Sequence, residues 1–148
     1  MDRMAPRATE EAVAQAAPLA AARAAAGGSG SADPLAGELR RAGLLPLLVL
    51  HLLRDAPSYG NALMERVEAT TSGLLAVNPN TMYPLLRRLE ADGFLAGQWE
   101  HPERRSRRFY RLTPAGVAER ERLAAELAPR LDAVAAGVAA IRAELGVV

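Results

Sequence analysis

The sequence predicts a mainly α chain with one small β-hairpin and a long C-terminal helix. Three features carry that reading. Apolar residues recur at helical spacing from Leu35 to Leu89, the period switches to two over FLAGQWE and SRRFYRL, and spacings of three and four return from Leu127 onward. Half of the 148 residues are hydrophobic, enough for one buried core with a tail.

Taken in order, residues 1–34 are rich in Ala, Gly, Ser and Pro, with Pro18 inside the alanine run and GGSGSADP at its end. That is linker chemistry, and the arm is expected to be disordered. A helix is expected from about Leu44, with Pro46 in its first turn, where a missing N–H is tolerated. Pro57 ends it, and Ser58 is the expected N-cap of a second helix, Tyr59 to Thr70, lined by Leu63, Val67 and Thr70 and closed by Gly73. NPNTMYPLL opens a third helix, with Asn80 as the expected cap. Asp92-Gly93 stops it. The two alternating segments then form a hairpin around HPERR, and Tyr110 and Leu112 point inward. Thr113-Pro114 starts the last helix, since Thr suits the N-cap and Pro the first helical position.

In that helix Leu127, Leu131, Val134, Val138, Ile141 and Leu145 follow at spacings of 4, 3, 4, 3 and 4, a heptad seam. Pro129 is expected to kink or restart the helix. The seam could pack on its own domain, but a seam projecting beyond a small domain needs a partner, so residues 113–148 are expected to dimerise. Three helices followed by a hairpin, over residues 35–112, are the plan of a winged helix-turn-helix.

Several functions are excluded or disfavoured. Without Cys there is no disulfide, thiolate metal site or cysteine nucleophile. The longest apolar run, Gly43–Leu53, falls short of the roughly 18 residues of a membrane span. The N-terminus has no apolar signal core, so a cytoplasmic setting is the default. No phosphate loop, nucleophile elbow or metal-ligand spacing occurs, so neither an enzyme nor a cofactor is expected. His51 lies on an apolar helix and His101 in the hairpin loop, with no second ligand spaced for either.

Net charge is only +1, but its distribution is uneven. Residues 82–112 hold seven Arg against four acids, whereas residues 113–148 hold four Arg against five acids. A local cationic patch is the footprint of a polyanion site. On a helical wheel Met82, Leu85, Leu86 and Leu89 share one side of the third helix. Asn80, Pro84 and Arg87 lie opposite, flanked by Tyr83 and Arg88. Arg can grip guanine or phosphate, Asn can pair with adenine, and the Thr81 and Tyr83 hydroxyls can donate to phosphates. Arg104, Arg105, Arg107 and Arg108 on the hairpin could reach a flanking backbone. These residues make double-stranded DNA the expected partner. The alternative is a winged-helix interaction module whose Arg patch binds an acidic protein.

The same residues carry a family resemblance. NPNTMYPLLRRLEADGFL resembles the recognition-helix signature of PadR-family regulators, matching at Thr81, Tyr83, Pro84, Leu86, Arg88, Leu89, Glu90 and Gly93, with Met82 in place of Leu. VLHLLRDAPSYGNAL and RRSRRFYRLTPAG are similar to the family's segments before and after it. The resemblance spans about Leu39–Gly116. Asn61, Ala62 and Arg104 depart from it, the last replacing the usual wing glycine. The resemblance implies a dimeric winged-helix repressor of transcription, released by a small hydrophobic ligand. It also implies that Trp99 could offer such a ligand a stacking surface. A two-fold dimer would read an inverted-repeat operator.

Overall fold

The computed structural model describes residues 2–5, 8–12, 34–103 and 106–147. In the N-terminal arm, Asp2–Ala5 (β1) and Ala8–Ala12 (β2) pair antiparallel, where the composition predicts no regular structure. Neither strand alternates apolar with polar residues, so sequence pattern gives no sign of them. Residues 13–33 lie outside the described residues.

The domain begins with a helix the sequence pattern does not separate from the next, Pro34–Arg41 (α1). A turn at Ala42-Gly43, with Gly43 at φ 101°, leads into Leu44–Leu52 (α2). Pro46 stands in the first turn as expected, where its amide would have no helical partner. Leu44, Leu45, Leu47, Val49, Leu50 and Leu52 are buried, so α2 is the central helix of the core.

The second helix of the motif is Gly60–Thr70 (α3). Its cap position is Tyr59 and not the expected Ser58. Ser58 and Tyr59 instead form a two-residue strand (β3). Two residues are too few to show a period, so only the fold reveals this strand. Leu63 and Val67 face the core as expected, but Thr70 is exposed. It lies beyond the last turn that packs. The chain then reverses with Gly73 at φ 83°, its amide bonding the Glu68 carbonyl at 2.8 Å.

The third helix of the motif is Pro79–Ala91 (α4), and its cap is Asn78, two residues before the expected Asn80. The Asn78 side chain accepts from the Thr81 amide at 3.1 Å. Either asparagine could cap, but Pro79 is pre-set for the first helical position, which favours Asn78. Asn80 is therefore helical and exposed. Pro84 lies well inside the helix and offers no N–H to the Asn80 carbonyl. Met82, Leu86 and Leu89 are buried and Leu85 is half-buried against them.

The hairpin is Leu95–Trp99 (β4) and Arg108–Leu112 (β5), paired from Leu95↔Leu112 to Trp99↔Arg108. With β3 it makes a three-stranded antiparallel sheet in the order β3-β5-β4. Tyr110 is buried.

The last helix runs unbroken from Pro114 to Leu145 (α5), passing through Pro129. Thr113 caps it, accepting from the Gly116 amide at 3.0 Å and donating to the Gly93 carbonyl at 2.7 Å. The N-terminal part of α5 packs on α2. Leu127, expected at the head of the seam, is 1% exposed and belongs to the domain's own core. Its position in the first half of α5 keeps it on the part of the helix that packs against the domain. Beyond it the stripe opens to solvent, with Ile141 60% and Leu145 70% exposed. The fold is thus a winged helix-turn-helix with an added N-terminal helix and a long C-terminal helix.

Candidate nucleic-acid interface

The outer side of α4 follows from its inner side. With Met82, Leu86 and Leu89 buried, the 3.6-residue period turns Asn80, Pro84, Arg87 and Arg88 to solvent. Arg87 makes no ion pair among the described residues. Arg88 stands 4.0 Å from Asp92, a loose exposed contact of the kind worth little. Thr81 and Tyr83 are half-buried on the flanks.

Tyr83 is held in place. Its hydroxyl donates to Asn61 Oδ1 at 3.1 Å, tying α4 to the first turn of α3. Its ring lies over Gly60, where an added Cβ would fall 2.5 Å from ring carbon Cε1. The glycine therefore lets α3 and the Tyr83 ring approach this closely. Asn61, a departure from the family pattern, supplies the acceptor.

Between α4 and the wing is a hollow of about 850 Å³, bordered by Tyr59, Asn61, Tyr83, Arg87, Arg107 and Trp99. A smaller one of about 430 Å³ adjoins Trp99, Gln98 and Arg111. Trp99 is 39% exposed and borders both.

The wing arginines divide into three groups. Arg104 and Arg105 lie outside the described residues. Arg107 is exposed, paired with Glu100 at 3.0 and 3.1 Å, and its guanidinium stacks over the Tyr59 ring at 4.3 Å. Tyr59 in turn meets Phe109 edge-on at 5.4 Å. Arg108, expected to face outward with the others, turns toward α4. Its Nη2 donates to Glu90 Oε2 at 2.6 Å and its Nε to Oε1 at 3.4 Å. The Glu90 hydrogen bond pushes the Arg108 pKa above its usual range, and the Glu90 charge adds to this against the opposing effect of burial.

The sequence reading missed Tyr59, Asn61, Glu90 and Gly97 as parts of this surface. Glu90 and Arg108 are 18 residues apart, a separation no helix or strand period connects. Only the wing folding back onto α4 brings them together. Away from this face, His51 contacts Arg54 at 2.6 Å and accepts from Arg120 at 3.0 Å, a packed histidine bridging α2 and α5. No group of His, Asp or Glu suited to a metal occurs among the described residues. No helix there is long and apolar enough to cross a membrane.

A helix-turn-helix with a two-sided wing and an arginine-bearing outer helix defines the winged-helix class of regulators. The sequence pattern of the transcriptional regulator PadR-like family matches residues 49–122, half of the chain, and the chain belongs to that family. It is 43% identical over 72 residues to the transcriptional regulator Rv3488 of Mycobacterium tuberculosis. That match takes in 49% of this chain and 64% of the relative, so it spans less than two thirds of the relative's length. Among solved structures, a PadR-family transcriptional regulator from Eggerthella lenta superposes with a TM-score of 0.55 at 36% identity, covering 68% of this chain and 86% of that one. A transcriptional regulator from Clostridium thermocellum gives 0.58 at 25% identity, covering 66% and 91%. The members are transcriptional regulators and not enzymes.

Proposed function

We propose that this PadR-family regulator is a dimer that binds double-stranded DNA in a sequence-specific way, with α4 in the major groove and the wing along the flanking backbone. The carrying observation is the outer face of α4, where Asn80, Arg87 and Arg88 are exposed on a helix whose inner side packs into the core through Met82, Leu86 and Leu89. Arg and Asn on such a face can read guanine and adenine edges. The α4 N-terminus and Thr81 would meet phosphates, and Tyr83 would join them by releasing its hydroxyl from Asn61. Arg107 is exposed on the wing and would exchange its carboxylate partner Glu100 for a phosphate, keeping two forked hydrogen bonds.

Dimerisation rests on α5. Leu131, Val138, Ile141 and Leu145 are exposed at heptad spacing with Val134 half-buried among them, an apolar stripe that a second copy would cover. The biological output is repression, relieved by a small hydrophobic effector. Trp99, open to two hollows of which the larger also borders α4, is the candidate stacking surface for a flat molecule.

The test is discrimination. A duplex enriched from a random library should be bound far more tightly than a scrambled duplex of equal length and charge. Equal affinity for both, with binding to acidic polypeptides, would support the acidic-protein reading instead.

A further inference from the structure

Arg108 has the composition of a phosphate contact but not the surroundings of one. The register pairs it with Trp99, and Gly97 with Tyr110, so all four side-chain positions share one face of the sheet. On that face the Arg108 guanidinium lies 5.2 Å from the Trp99 ring centroid and 5.9 Å from that of Tyr110. Glu90 reaches in from α4 and grips it with both carboxylate oxygens. Gly97 leaves the room this needs. An added Cβ there would stand 2.7 Å from Arg108 Nε and 2.9 Å from Glu90 Oε1. The pair is less than a third exposed on either side, at 28% and 29%. Arg107, its neighbour on the opposite face, has half of its side chain exposed.

We propose that Arg108 is a positioning residue: clamped by Glu90 between Trp99 and Tyr110, it fixes the wing against α4 and sets specificity without donating to DNA. The forked geometry matters, because two parallel hydrogen bonds fix an angle where a point charge fixes only a distance. The wing and α4 are joined here by side chains from two separate elements, so the groove between them has a defined width before any ligand arrives. Glu90 has a second consequence. It cancels a cation at the edge of the groove that would otherwise favour any phosphate backbone, whatever its sequence. Specific over non-specific binding is gained by withholding that charge.

The inference rests on the DNA-binding reading and makes different demands from it. Wild type, Glu90→Gln and Arg108→Gln would each be titrated against the library-enriched duplex and a scrambled one across a salt series. Circular dichroism would confirm folding, and Trp99 emission would report the junction without DNA. Glu90→Gln should bind the scrambled duplex more tightly, steepen the salt slope by about one, and lower the enriched-to-scrambled ratio. Arg108→Gln should leave the slope unchanged and also lower the ratio. Both should shift Trp99 emission. If Arg108→Gln makes the slope shallower by about one on both duplexes and keeps the ratio, Arg108 is a phosphate contact and the proposal is overturned. Trp99 emission indifferent to both substitutions overturns the clamp itself. A wild type that enriches no duplex sinks the function reading, and the specificity role of Arg108 with it.

Discussion

At the scale of single residues, the proposed interface would assign different work to chemically identical side chains. Arg87 is exposed on the outer face of α4 and faces the groove where base edges would lie. Arg87→Ala should therefore lower affinity for the enriched duplex by about 1–3 kcal/mol and relax preference at one position. Arg107→Ala should instead weaken binding to all duplexes alike and flatten the salt slope by about one. Salt titrations on matched and scrambled duplexes separate the two. The reverse assignment of effects would place Arg107 on the bases. His51 makes a prediction about pH. Its burial, then the charges of Arg54 and Arg120, lower its pKa from the ordinary 6.5, with Arg66 adding and Asp55 opposing. The unfolded chain thus holds this proton at a pH where the folded chain has released it. Its contribution to stability is complete above about pH 6.5 and is lost as pH falls through the lower folded value. Urea midpoints measured from about pH 7 down to about pH 5 should decline less steeply in His51→Gln than in wild type. Equal slopes would show that His51 is not titrating in this window.

At the scale of elements, what the sequence discloses depends on how local the determining interaction is. Helices α2 to α5 and the hairpin are legible because each carries its own period and its own boundary signal, such as Pro46 in a first turn or Thr113-Pro114 at a start. Their boundaries are less so. Asn78 and Asn80 are both competent caps, and Pro79 decides between them. Strand β3 has only Ser58 and Tyr59, and it exists because β5 is beside it. The outer face of α4 could be read off a wheel, but the clamp on Arg108 could not, since Glu90 reaches it only through tertiary folding. Leu127 shows the same limit. It continues the heptad pattern, yet it is buried in the domain's own core. Leu127→Ala should accordingly cost about 2–5 kcal/mol of folding stability even where the protein is monomeric. Asn78→Ala removes a cap and should cost about 1 kcal/mol. Denaturant unfolding at low protein concentration checks both. A Leu127→Ala loss that appears only at concentrations supporting a dimer would return Leu127 to the seam.

At the scale of the whole molecule, the proposal joins two surfaces of one chain: an outward face of α4 that would read DNA, and an exposed C-terminal stripe that would pair two copies. Val138 lies mid-stripe and exposed. Val138→Asp should yield monomers by sedimentation and lower affinity for the enriched duplex, while the thermal midpoint of the winged helix holds. A mutant that stays dimeric would move the interface elsewhere, with α1 the next surface to substitute. If two copies are related by a two-fold axis, their α4 helices meet the duplex as symmetric half-sites, about one helical turn or a multiple of it apart. The most direct measurement of the central claim is therefore the selection itself: wild-type protein incubated with a library of random duplexes, and the retained sequences read. The account predicts an enriched inverted repeat whose half-site centres are separated by about 10–10.5 base pairs or a multiple of that. Retention of duplexes with no shared sequence would contradict it.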